Sequence, residues 1–294
     1  MQDSGGSNAR GIFSMLGAVV SFALMDAGLK ILSPHYPAMQ VAALRGLATL
    51  PLIVVWVMFA GGPRQLLQVR WPLHLMRGAL ALVMLATFSY ALRLLPLAEA
   101  YSLFFVAPLL VTALAVPLLG ERVGWRRWLA IGVGLIGTVV VLRPQGDTLL
   151  SLGGIAVLVS AVSYALSAIT VRVLGRSDST LSMVFWMIAM LSVFATLAAW
   201  SDWVAIRPEH WRVLAGLGVS GALGQYGVTE AFRRSPASII APLEYTALLW
   251  GICLDWYLWN TVPDRMVLIG AGIIILSGLY LLRRERVHAL AEHP

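Results

Sequence analysis

Nearly every part of this chain belongs to an apolar run long enough to cross a bilayer, which leaves room for little else. A spanning helix needs about 20 apolar residues. Punctuation by Pro, Gly, Arg and Trp divides the sequence into ten such runs, at 12–32, 39–60, 73–94, 97–119, 126–143, 153–174, 181–200, 211–232, 237–259 and 266–282. The run 211–232 is the weakest, because Ala215 to Gly227 is rich in glycine. Composition agrees: of 294 residues, 59% are hydrophobic and 12% charged, against roughly 25% charged in soluble domains. Mean hydropathy is +0.83. These values exclude an ordinary soluble enzyme and a disordered chain. The expected fold class is an all-α membrane protein of ten transmembrane helices.

The net charge of +7 is read as membrane orientation rather than nucleic-acid binding. With the N-terminus inside, the inner segments hold Arg10, Arg64, Arg70, Arg122, Arg126, Arg127, Arg172, Arg176, Arg233, Arg234, Arg283, Arg284 and Arg286. The outer segments hold Lys30, Arg93, Arg143, Arg207, Arg212 and Arg265, and Arg45 and Arg77 fall inside spans. The bias recurs at every inner loop, so ten spans with both termini cytoplasmic are expected. Eight tryptophans near span ends, Trp56 and Trp71 among them, suit interfacial indoles. The polar first nine residues lack a signal-peptide pattern, so the first run is expected to be retained. The single cysteine, Cys253, excludes an intramolecular disulfide and a multi-cysteine metal site.

The two halves resemble each other. Ala18 to Leu32 (AVVSFALMDAGLKIL) matches Ser160 to Leu174 (SAVSYALSAITVRVL) at an offset of 142, through Val20/Val162, Ser21/Ser163, Phe22/Tyr164, Ala23/Ala165, Leu24/Leu166 and Lys30/Arg172. Pro96 pairs with Pro236, and Arg143 with Arg283, at an offset of 140. The chain therefore divides into 1–145 and 146–294, each carrying five spans. Five is odd, so the second copy enters the membrane inverted. Inverted repeats offer two near-equivalent packings, one open to each side, with a substrate site at their interface near the midplane and alternating access expected from rocking one half against the other.

The stretch Leu95 to Val123 (LPLAEAYSLFFVAPLLVTALAVPLLGERV), with the following WRRWLAIGVGLIGTVVVL, resembles the EamA-type module of the drug/metabolite transporter superfamily. Its strongest element is Gly120-Glu121, preceded by the stretch centred on Pro108. In the second half Trp259-Asn260 stands where Gly-Glu is expected. Ala241 to Gly251 (APLEYTALLWG) resembles the ninth span of the aromatic amino-acid exporter branch. The resemblance implies a secondary transporter, not an enzyme, exporting amino acids or related metabolites from a bacterial cytoplasm. Its partners are then a small amino-acid substrate and membrane lipid.

Charges inside hydrocarbon cost about 2.5–3.5 kcal/mol on insertion scales, so each calls for a partner or an aqueous cavity. Asp26 and Arg45 lie at similar distances on either side of the turn at His35 to Pro37, so antiparallel neighbours bring them to one depth. Arg45 is expected to dock a substrate carboxylate, with Asp26 orienting it or receiving an ammonium. The alternative is a structural ion pair. Glu230 and Glu244 flank the turn at Ser235-Pro236, beside Arg233 and Arg234. They suit either a coupling proton or ion pairs with those arginines. Tyr90, Tyr101, Tyr164, Gln225, Tyr226, Tyr245 and Trp250 are the candidates for lining a cavity around an apolar or aromatic side chain. A carrier of another metabolite, such as a nucleobase, a cationic drug or S-adenosylmethionine, stays open; a cationic substrate would depend on Glu244 rather than Arg45. A lipid-modifying membrane enzyme is the alternative from another class.

Gly132-x-Gly134-x-x-Gly137 and Gly216-x-Gly218-x-x-Gly221 fit the dinucleotide-binding spacing, but no strand precedes them, and close helix packing accounts for them better. The sequence holds no P-loop and no histidine cluster with metal-ligand spacing, so no cofactor or metal is expected.

Overall fold

The computed structural model describes residues 4–60, 62, 64–67, 69–94, 103–121, 123–142, 151–260, 265–266, 268–270, 272–273, 275–277 and 280. Among them there is no strand. The helices are α1 (Ser4–Leu32), α2 (Ala38–Phe59), α3 (Trp71–Leu94), α4 (Ala107–Leu119), α5 (Trp125–Leu142), α6 (Leu152–Leu174), α7 (Thr180–Ala199) and α8 (Trp211–Arg234). They continue with α9 (Ala237–Trp259) and α10, the described helical residues between Leu268 and Ser277. Six are long and apolar enough to cross a membrane by themselves, and the regions of α4, α5 and α10 supply shorter apolar helices.

Local chemistry sets the helix ends. Ser151 and Ser179 cap α6 and α7, accepting bonds from the backbone N–H of Gly154 and Ser182 at 3.0 and 3.1 Å. Each satisfies an otherwise orphaned helix donor. Pro37 and Pro236 stand just before α2 and α9, where a missing N–H costs nothing. Gly120 ends α4 in the left-handed region at φ 68. Asn260, one of the few residue types that tolerate that region, ends α9 at φ 52. The second repeat thus keeps the backbone cap, at the residue 140 positions on from Gly120, and lacks only the carboxylate after it.

The glycine-rich run forms an uninterrupted helix. Along α8, a Cβ at Gly218 would lie 2.5 Å from the Ala48 carbonyl oxygen of α2, and one at Gly227 would lie 2.8 Å from that of Ser14 on α1. Those glycines let α8 press its backbone against two neighbours. Gly218 and Gly221 of the second dinucleotide-like spacing are therefore packing positions, while Gly216 has no neighbour within 4 Å of its Cβ position.

The repeats interleave. α1 packs along α8 and α3 along α6; α9 also packs on α1 and α4 on α6. Exchanging each helix for its counterpart five places away turns each of these pairs into the other. The α2–α7 and α4–α9 contacts map onto themselves, so the pseudo-two-fold axis passes between those pairs. With five helices per repeat, this is the inverted architecture. Taking the α2–α7 and α4–α9 contacts as seams divides eight of the helices into two groups, α1, α2, α8 and α9 against α3, α4, α6 and α7, each drawn from both repeats, and α2–α7 is itself an extensive seam.

Candidate functional site

Where the two groups meet they enclose a cavity of about 290 Å³, near the lower end for small-molecule sites. α2 and α7 wall one side and α4 and α9 the opposite one, with α1/α8 and α3/α6 between them. Four pairs of residues equivalent at the 142 offset line it: Phe22/Tyr164, Met25/Ser167, Asp26/Ala168 and Arg45/Met187. The duplication therefore supplied the shape, and divergence put both charges of this set on the first repeat.

Asp26 and Arg45 face this cavity together and act on each other electrostatically, without a direct ion pair. Asp26 is exposed to solvent. The Arg45 guanidinium lies 5.9 Å from the centroid of the Phe22 ring. Tyr164 donates its hydroxyl to Glu244 Oε1 at 2.8 Å. Glu244 reaches the cavity because α9 is broken: Ala241–Thr246, with Pro242 near its start, is a 3₁₀ stretch. Pro removes a helix donor, and such a stretch often marks a hinge. Gln225 also lines the cavity, and its amide lies 3.5 Å from Thr229 Oγ1.

The other candidates lie elsewhere. Tyr226 stacks on Trp56, with ring centroids 4.5 Å apart. Tyr245 is buried beside Phe105 and Ile131, where Gly134 makes room for its ring. Tyr90 and Trp250 are exposed outside the cavity lining, and Tyr101 falls outside the described residues. Glu230 accepts hydrogen bonds from Thr180 Oγ1 and Arg234 Nε, with Arg233 NH1 at 3.7 Å. It makes the ion pairs, whereas Glu244 meets the tyrosine. Sequence reasoning missed Arg77, which lines the cavity from α3. Its signal was a charge inside a span with no acidic residue near it in sequence.

The two faces of the bundle are tied differently. On the arginine-rich face, Glu121 accepts bonds from the backbone N–H groups of Ala237 and Ser238 at 2.9 and 3.2 Å, and meets Arg172 at 3.5 Å. It thus caps α9 from the other group, with the charge sign that a helix N-terminus favours. The Glu230 cluster similarly ties α8 to the start of α7, and Arg233 Nε reaches the Gly175 carbonyl oxygen at 3.4 Å. Asp178 in the α6–α7 turn accepts bonds from His74 Nε2 at 2.8 Å and the Arg70 N–H at 3.2 Å. Burial works against the Asp178 carboxylate. The bonds from Ser177, His74 and Arg70 outweigh it and hold the pKa below the ordinary value.

On the arginine-poor face Tyr36, equivalent to Asp178, accepts from the Arg207 N–H at 2.9 Å and bonds His210 Nδ1 at 2.8 Å. Gln40 pairs with both backbone groups of Val204. These ties stay within one group. α8 packs on α6 and α7, but α3 makes no comparable contact with α1 or α2 among the described residues. Polar bonds tie the groups on the arginine-rich face; toward the other face they meet through apolar packing, where a Cβ at Gly46 of α2 would lie 3.0 Å from the Ser192 Cα of α7, and Ala42, Ala43 and Ala195 cluster.

A helical bundle of inverted, interleaved repeats around one shared hollow is the architecture of a membrane transporter. A model described as the EamA-like transporter family matches residues 9–143 and again 151–283, and the chain belongs to that family. A pseudopaline exporter of Pseudomonas aeruginosa is 26% identical over 94% of this chain and 97% of its own. A riboflavin transporter of Vibrio cholerae is 27% identical over 94% of each. An S-adenosylmethionine uptake transporter of Rickettsia prowazekii is 26% identical over 100% of this chain and 99% of its own. A solved crystal structure superimposes with TM-score 0.81 at 19% identity, covering 96% of this chain and 99% of the other, and shares the fold. The protein is a multi-pass membrane transporter of a small molecule, not an enzyme.

Proposed function

We propose that this transporter exports amino acids with apolar or aromatic side chains across a bacterial inner membrane by alternating access. The observation that carries the reading is the cavity's pairing of Arg45 and Asp26, facing it without joining each other. Arg45 takes the substrate carboxylate through its planar fork, and Asp26 takes the ammonium. Phe22, Phe104 and Met187 pack the side chain, while Gln225 and the Tyr164–Glu244 pair offer polar contacts.

The arginine bias supports both termini in the cytoplasm, and the polar ties on the arginine-rich face support a conformation closed on that side. The buried α1–α8 and α3–α6 seams oppose rocking one repeat against the other. The moving units in this reading are instead the two interleaved groups, which slide along the α2–α7 and α4–α9 seams. On inward opening, Tyr90, which stands 140 positions before Glu230 and is 47% exposed, becomes covered and the Glu230 cluster parts. Glu244 carries a coupling proton if flux follows a pH gradient.

The test is flux of labelled methionine, threonine and tryptophan in proteoliposomes. Transport that saturates, with Arg45→Gln lowering it at least tenfold in folded protein, is the expected result. No flux of any of the three sinks the amino-acid reading. The relatives named for S-adenosylmethionine favour one second reading, a cationic metabolite held by Glu244; it requires Glu244→Gln to abolish flux and Arg45→Gln to spare it.

A further inference from the structure

We propose that Arg77 is a second anion-docking point, so that the preferred cargo is an amino acid whose apolar or aromatic side chain carries an anionic group at its far end. This rests on the amino-acid reading above and adds a subsite at the opposite end of the same cavity. Arg77 is only 3% exposed. Its NH1 donates to the Met183 carbonyl oxygen at 2.9 Å, and its Nε is buried without a hydrogen-bond partner. Among the described residues it has no ion pair. Glu244, the cavity's other carboxylate beside Asp26, takes the Tyr164 hydroxyl instead. A guanidinium held in a bundle interior with no counter-charge carries a cost, and an arriving anion removes that cost.

The placement favours a ligand charged at both ends. Arg45 stands seven residues into α2 from the arginine-poor face, and Arg77 six residues into α3 from the arginine-rich face. At 1.5 Å per residue, their Cα atoms are separated by roughly 10–15 Å in depth. The Arg45 guanidinium lies by Phe22 and Arg77 acts electrostatically on Tyr164, the repeat equivalent of Phe22, so an amino acid with a short apolar or aromatic spacer bridges the two forks across the cavity. Phe104 and Met84 line the stretch between, where the spacer packs. An anion at Arg77 meets the free side of a fork already fixed by Met183, and bidentate pairing adds directionality.

The experiment is competition against labelled phenylalanine counterflow in proteoliposomes, using para-carboxyphenylalanine, para-aminomethylphenylalanine and unlabelled phenylalanine. In wild type the carboxylate form is expected to compete at about tenfold lower concentration than phenylalanine. Arg77→Gln is expected to erase that advantage, and Arg77→Lys, a point charge without the fork, to restore part of it. An equal or weaker carboxylate competitor, a better aminomethyl competitor, or an advantage that survives Arg77→Gln overturns the assignment. If Arg77→Gln does not fold by thermal unfolding, Arg77 also staples α3 to α7, and the wild-type competition with Arg77→Lys decides. Counterflow without a carboxylate advantage sinks the Arg77 subsite alone; no counterflow by any of the compounds sinks the amino-acid reading and the subsite with it.

Discussion

The two faces of the bundle descend from one repeat pattern, yet only one is laced across the two helix groups. On the arginine-rich face Glu121 caps α9, and Glu230, only 5% exposed, gathers Thr180, Arg233 and Arg234. On the other face the position equivalent to Glu230 is the exposed Tyr90, and the left-handed cap survives at Asn260. The ties within a group are matched instead: Asp178 with His74 and Arg70 on one face, Tyr36 with His210 and Arg207 on the other. The difference teaches which contacts hold each group rigid and which hold a face shut. Contacts that recur on both faces belong to the rigid groups. On the alternating-access reading proposed above, polar contacts present on one face only belong to the closure.

The largest effect should come from cutting the closure at its most buried point. Glu230→Gln removes the charge that Arg233 and Arg234 share and leaves one acceptor oxygen where the carboxylate offers two. It should cost about 2 kcal/mol, seen as a fall of roughly 5 °C in thermal unfolding, with exchange flux changed at least tenfold. A variant as stable and as active as wild type would show that the cluster does not hold the face shut.

Asp178→Asn should come next, because it breaks a buried contact within one group. The depressed Asp178 pKa stabilises the fold fully above the usual carboxylate range, and that stability is lost as pH falls through it. Wild-type unfolding temperature should therefore drop on acidification more steeply than that of Asp178→Asn. Parallel pH profiles for the two would refute the role. Glu121→Gln, losing charge but keeping an acceptor at the α9 N-terminus, should cost about 1 kcal/mol. The smallest change should have the opposite sign: Asn260→Gly, relieving a left-handed residue, should raise stability by a few tenths of a kcal/mol. Destabilisation there would mean that the asparagine side chain does more than tolerate the cap.

Much of the architecture is written in local chemistry. Apolar runs about one bilayer long must become helices, because hydrocarbon offers no other partner for the backbone. An odd count per copy inverts the second, and the Gly120-Glu121 motif points to the family that the chain belongs to. Asp26, Arg45, Tyr164, Gln225 and Glu244 were legible as site candidates because a polar group inside a span needs a reason to be there, and all five line the cavity. Which face of its helix each aromatic presents was not legible. Tyr226 turned to Trp56 and Tyr245 to Phe105, since ring packing is settled by neighbours remote in sequence. Interleaving was hidden for the same reason: it depends on α8 glycines meeting Ala48 and Ser14, contacts that no window along the chain contains. Arg77 belongs to this second kind. Its charge was plain in the sequence, but the absence of an ion-pair partner is a property of the packed interior alone.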